Sequence, residues 1–349
     1  MPPRERETFD AAELGVVLSY YDLGVIESIT EFRRGSRRSP KVGIVSEHGK
    51  FILKRRAPAR ANPDRVLFAH RIQLHLTATG FPVARLIATK DRGRTTVELR
   101  DRIYEMFEFV AGEPFDRTAR EAYEAGVVLA RYHQAMTSFH PPASVPIPFG
   151  DYHDSEGVRR GLYSIGSALS SHDSFAGDEA ELAGLTQRLF EAYDGAVESV
   201  NKLGFARWRE GIIHADWHSG NLLYRKHTVV AVLDYDSARR SRRIVDVANG
   251  ALQFSIIAQG DPATWPDELD EERFRAFLAG FESLDPLSDE ERSSVLSLMA
   301  EALVAECVHP IAETGSLGPW AGYRVLCMVE RKLAWLKSCG TRLISASGG

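Results

Sequence analysis

Cysteine is scarce in this chain, and long apolar runs are missing. Cys307, Cys327 and Cys339 are the three cysteines among 349 residues. An odd number with no C-x-x-C pair argues against a disulfide scaffold and a cysteine zinc site, so reduced thiols are expected. No apolar stretch approaches the ~20 residues that a membrane helix needs. The opening Met1–Asp10 is charged and has no apolar core, which predicts no signal peptide and a cytoplasmic protein without a membrane partner. Basic charge is not in excess either: 43 Lys plus Arg face 48 Asp plus Glu, a formal net charge of -5. That balance argues against a surface built for nucleic acid. Low-complexity tracts, linkers and internal repeats are also lacking, so the 44% hydrophobic content serves an ordinary globular core.

What is present changes character along the chain. Asp10 and Glu13 have the spacing of a capping box, with Leu14, Val17, Leu18 and Tyr21 at helical spacing until Gly24. Val25–Phe32, Val42–Val45 and Phe51–Lys54 read as strands, Pro63–Thr79 as a helix and Ile103–Val110 as a further strand. Beyond it the periodicity is helical, at 118–132, 179–200, 271–279, 288–304 and 322–337, with 139–155 loop-like. The expected fold class is α+β and two-lobed, with a small antiparallel-sheet lobe over 1–109 and a large, mainly helical lobe over 110–349. Charge is uneven too. Between Arg33 and Arg60 stand ten basic residues and one acid, whereas Asp261–Arg292 holds eleven acids and three basics. Solvated faces and helix caps are the simplest account of both.

The chemistry concentrates in Gly211–Asp236, GIIHADWHSGNLLYRKHTVVAVLDYD. Leu222–Arg225 and Val229–Leu233 read as a hairpin that returns the chain to its starting end and brings Asn221 close to Asp234. Asp216 lies on the preceding loop, and Asp236 is one pleat beyond Asp234. Oxygen donors of this kind suit a hard cation such as Mg²⁺ with phosphate oxygens in its shell. Phosphoryl transfer needs such a metal, a base for the attacking hydroxyl and positive charge on the phosphates. Asp216 is the candidate base, Asn221 and Asp234 the candidate metal ligands, and Lys54 a candidate cation for the phosphates of ATP.

The pattern H-x-D-x-H-x-x-N, then an apolar strand and D-x-D, resembles the aminoglycoside phosphotransferase family, small-molecule kinases of protein-kinase-like fold. VVLSYYDLGVIESITEF at 16–32 resembles the opening of type II homoserine kinases and kinase-like spore-coat proteins. FILKR at 51–55, GFPVARLI at 80–87, YEMFEFVAGEPF at 104–115 and GVVLARYH at 126–133 follow in order. The resemblance implies Asp216 as catalytic aspartate, Asn221 and Asp234 on Mg²⁺, and Lys54 on the phosphates. It implies a hinge at Phe107–Val110, with backbone around Glu108 and Val110 reading adenine. His214 and Asp246 would support the catalytic loop, and a small-molecule hydroxyl would be the acceptor.

Three departures stand out. Ala215 occupies the place of the family's usual glycine. No G-x-G-x-x-G joins the first two strands, where the basic loop Arg33–Lys41 stands instead. Kinases of this fold often pair the strand lysine with a helix glutamate, yet Pro63–Gly80 contains a single acid, Asp64. A kinase-fold binding protein with weak or no turnover is therefore an alternative. A metal-dependent hydrolase using His214, Asp216 and His218 is another. His133 is expected to be buried against a backbone carbonyl, and His218 to be a satisfied loop histidine.

Overall fold

The computed structural model describes residues 6–32, 38–170 and 178–345. Of the basic loop, Arg33–Arg37 lies outside the described residues. The chain forms two compact units, one of 1–114, 135–148 and 221–238, the other of 115–134, 149–220 and 239–349.

The first unit opens with α1 (Ala11–Leu18). Its capping box is complete: the Glu13 N–H donates to Asp10 at 2.7 Å and the Asp10 N–H to Glu13 at 3.3 Å. The helix stops at Ser19 rather than at Gly24, because Tyr21 and Leu23 leave the helical path to enter the core. Strands β1 (Ile26–Glu31), β2 (Lys41–Ser46) and β3 (Gly49–Arg55) follow, then α2 (Pro63–Ala78), β4 (Val97–Leu99) and β5 (Arg102–Glu108). They make an antiparallel sheet of order β1-β2-β3-β5-β4. Side chains alternate across a pleated strand. Leu53 and Phe51 join Val17, Leu18, Val42, Tyr104 and Met106 on one buried face. Lys54, one residue on, therefore turns to the other face. There it opposes Lys41 on β2 and Glu105 on β5.

The second unit is mainly helical. It holds most of α3 (Ala119–Met136), then α4 (Glu156–Ser170), α5 (Glu179–Leu203) and β6 (Glu210–Ile213). The chain then visits the first unit as the hairpin β7 (Leu222–Arg225) and β8 (Thr228–Val232). It returns as β9 (Arg239–Arg242), α6 (Arg243–Ser255), α7 (Glu271–Glu282), α8 (Asp289–Thr314), the short pair β10 (Ser316–Leu317) and β11 (Trp320–Ala321), and α9 (Gly322–Ser345). Strand β9 pairs with β6.

Helix α8 is the middle of this unit, packed on α4, α5, α6 and α9. It runs ten residues beyond Val304, and one window of it reaches mean hydropathy 1.5, long and apolar enough to cross a membrane. Its setting accounts for that composition. Val295, Met299, Ala302 and Val308 are buried among the neighbouring helices, and so are Ser294 and Glu301. Helices α4 and α6 have no counterpart in the sequence reading. α4 carries three glycines, each unfavourable inside a helix. At Gly161 a methyl group would stand 2.3 Å from Val308 Cγ1, so the glycine permits the close approach of α4 to α8. α6 is buried on nearly every side, yet Arg243, Asp246, Asn249 and Gln253 recur at helical spacing, the signal by which it could have been found.

Candidate active site

In the second unit, β6 delivers the chain into His214–Gly220. One carboxylate holds this loop. Asp246, in the first turn of α6 and fully buried, accepts from the His214 N–H at 2.7 Å and the Ala215 N–H at 2.8 Å. Its Oδ2 also lies 3.0 Å from His133 Nε2. The partner of His133 is thus a carboxylate, not the carbonyl expected, because α6 brings Asp246 to it across α3. Ala215 sits at φ +60, a left-handed conformation that glycine adopts without strain. The usual glycine therefore has a structural reason, and this chain bears a small cost at that place. The His214 ring is enclosed by Tyr132 and Trp217, with centroids at 5.9 and 5.3 Å.

Asp216 follows on the exposed part of the loop. His218 Nδ1 accepts from the Gly220 N–H at 3.0 Å, so the ring proton of neutral His218 resides on Nε2. That nitrogen lies 3.5 Å from Asp216 Oδ1. His218 is a satisfied loop histidine that turns a donor toward Asp216 and keeps the carboxylate an acceptor. On α8, Glu306 accepts from Gln253 at 2.7 and 2.8 Å. Glu306 is exposed, and its carboxyl is drawn above its ordinary value by desolvation first and in small part by Asp216, against the Gln253 hydrogen bond.

In the first unit, the hairpin does bring Asn221 to Asp234: the Leu233 N–H donates to the Asn221 carbonyl at 2.8 Å. The turn is Lys226–His227, both at positive φ, as the tightest hairpins require. Asp234 is also left-handed, at φ +59. Such strain in a residue other than glycine gathers at working sites. Arg60 Nη1 is 3.7 Å from Asp234 Oδ2.

Behind Asp234 lies a buried charge array that sequence reasoning had largely missed. Lys54 Nζ is 3.6 Å from Asp236 Oδ2 and 3.9 Å from Glu105 Oε2. Arg56 binds both acids, Asp236 Oδ1 through Nη2 at 2.7 Å and Glu105 Oε1 through Nε. His70 of α2 approaches Glu105 Oε1 at 3.1 Å and Thr95 Oγ1 at 2.7 Å. Arg55 points to the opposite face, where it pairs with Glu13 and Glu7. Burial alone would lower the Lys54 ammonium, but Glu105, Asp236 and Asp234 reverse this and hold it above its ordinary value. Burial would likewise raise Asp236, but Lys54 and Arg56 hold its carboxyl at about 2. Lys41 is pushed down, by burial first and then by Lys54 opposite. Phe107 opposes Ile52 in the β3–β5 ladder, and the Phe109 N–H donates to the Lys50 carbonyl at 2.9 Å. Glu108 pairs with Arg85 at 2.6 Å, and Glu108 and Val110 border a recess with Lys50, Arg85 and Val230.

Residues 28–289 match the APH phosphotransferase enzyme family, well over half of the chain. The chain belongs to that family. Among relatives of known activity, homoserine kinase of Phenylobacterium zucineum is 25% identical over 300 residues, 81% of this chain and 79% of its own. The microcompartment-associated aminopropanol kinase superposes with a TM-score of 0.69 at 18% identity, covering 96% of this chain and 98% of its own. The amicoumacin kinase solved in complex with AMP-PNP, Ca²⁺ and Ami gives 0.68 at 15%, covering 93% of both. The chain is thus a phosphotransferase-family small-molecule kinase with the kinase-like fold of these structures, and ATP binding goes with the family. Family membership removes the hydrolase alternative. The His214 ring, shut between two aromatic rings, is also a poor metal ligand.

Proposed function

We propose that this phosphotransferase moves the γ-phosphate of ATP to a hydroxyl of a small metabolite, with Mg²⁺. The observation that carries the reading is the set of charges within the first unit. Asn221 and Asp234 stand at one end of the hairpin, and Lys54 lies in the field of Asp234 and Asp236. Carboxylate and amide oxygens are the donors a hard cation prefers, so Asn221 and Asp234 fit magnesium. Bound there, the ion would neutralise charge on the phosphate oxygens. Lys41 on β2 and Lys54 on β3 stand opposite one another. Lys54 keeps its charge among Glu105, Asp236 and Asp234, and in this reading it offers that charge to the phosphates. Backbone at Glu108 and Val110 holds the adenine in this reading.

Asp216 acts as base. It accepts the proton of the acceptor hydroxyl as the hydroxyl oxygen attacks the γ-phosphorus and ADP leaves. The Nε2–H of His218 orients the carboxylate, and Asp246 fixes the loop through the two amides ahead of it. The acceptor carries a free hydroxyl, and homoserine, amino alcohols and sugars form the panel to screen. Asp216→Asn in a coupled assay of ADP release with that panel tests the role. Turnover falls about 10²- to 10⁴-fold while ATP still binds. Equal turnover in the variant would contradict it.

A further inference from the structure

α2 offers Lys54 no acid: Asp64 is in the first turn, and the side chain it extends to the charge array is His70. We propose that Glu105, on strand β5, is the positioning residue for Lys54, supplying from the neighbouring strand the carboxylate that kinases of this fold usually take from the helix. The inference rests on the phosphotransferase reading above.

Three observations carry it. Lys54 and Glu105 are direct partners in the antiparallel ladder, so the backbone itself puts both side chains on one face. Glu105 is fully buried, and so close to a cation that its carboxyl lies below the usual range: burial opposes this, and Lys54, His70 and Arg56 outweigh it. Most telling is how the oxygens are divided. Arg56 takes one oxygen of Glu105 and one of Asp236, and His70 adds a second contact to the same Glu105 oxygen. The remaining oxygens, Glu105 Oε2 and Asp236 Oδ2, are buried and receive no hydrogen bond among the described residues. Both face Lys54 Nζ, at 3.9 and 3.6 Å. Arg56 thus clamps two carboxylates so that their free edges hold the lysine from two sides. At these distances Nζ keeps its protons available for phosphate. A helix-borne acid can leave with its helix. A strand-borne one is fixed by the ladder, so the lysine pair of this kinase stays assembled whatever α2 does.

The experiment compares wild type, Glu105→Gln, Glu105→Asp and the double variant Glu105→Gln/His70→Glu, each checked by thermal melting. Two readouts are taken: kcat and KM for ATP, and the rate at which acetic anhydride acylates Lys54, by mass spectrometry against exposed Lys337 as reference. Glu105→Gln should lower kcat/KM for ATP by about 10- to 100-fold, as loss of a supporting partner commonly does. It should also speed acylation of Lys54, whose amine loses an acid that keeps it protonated. Restoring a carboxylate from α2 in the double variant should recover much of both, which a merely structural role for Glu105 would not do. Should Glu105→Gln not fold, Glu105→Asp, with its carboxylate drawn back, should show the same two changes in smaller measure. Unchanged kcat/KM and unchanged Lys54 acylation in a folded variant would overturn the proposal. If wild type transfers phosphate to no acceptor, the phosphotransferase reading fails by itself, and the acylation rates still decide whether Glu105 holds Lys54.

Discussion

At the scale of single residues, two positions carry measurable consequences. Ala215 is left-handed, at a cost of roughly 1–2 kcal/mol to an L-residue. Glycine would remove that cost but lose about 0.5–1 kcal/mol in unfolded-state entropy. Ala215→Gly should therefore raise the unfolding free energy by a few tenths to about 1 kcal/mol, read by urea denaturation, with turnover kept. A less stable variant would contradict the account. Asp236 makes the second case. Its folded carboxyl lies at about 2, below the ordinary value of 3.8. A depressed acid stabilises the fold above its unfolded value, and that contribution is lost as pH falls from about 4 through about 2. For this nearly buried group it amounts to about 2 kcal/mol. Thermal melting of Asp236→Asn should show a flatter decline over that window than wild type. Parallel declines would mean that Asp236 is not held by Lys54 and Arg56.

Among elements, the junction of β6, the loop His214–Gly220 and α6 is the most consequential. Asp246 receives two backbone amides and faces His133, and both side chains are buried. Asn in its place keeps one acceptor oxygen and turns an amide donor toward a donor. Asp246→Asn should cost about 1–3 kcal/mol in stability and reduce turnover more than nucleotide binding, measured by denaturation and by steady-state kinetics. An unchanged protein would show the loop to be held otherwise. This junction was half legible. H-x-D-x-H-x-x-N pointed to the loop, and the two short runs Leu222–Arg225 and Val229–Leu233 about a polar turn pointed to the hairpin, since both are local patterns. α6 was passed over although Arg243, Asp246, Asn249 and Gln253 stand at helical spacing between apolar residues. Glu105, by contrast, was hidden. An acid in YEMFEF reads as a solvated strand residue until the register sets it opposite Lys54, and register is a long-range property.

For the whole molecule, the order of strands followed by helices was readable from periodicity, although the three-residue edge strand β4 was too short to show a pattern. The chain's return into the first unit through 135–148 and 221–238 was not, since no composition shift marks it. The same limit applies to chemistry. Family membership fixes a small-molecule kinase and leaves the acceptor open, since the helices after Asp246 carry no motif. The central claim is that Asn221, Asp234 and Lys54 make a site for magnesium and the phosphates of ATP. Calorimetric titration of the full chain with ATP, with and without Mg²⁺, beside Asp234→Ala, tests it most directly. The account predicts binding that weakens sharply when either Mg²⁺ or the Asp234 carboxylate is removed. ATP binding indifferent to both, or none in a folded wild-type protein, would contradict it.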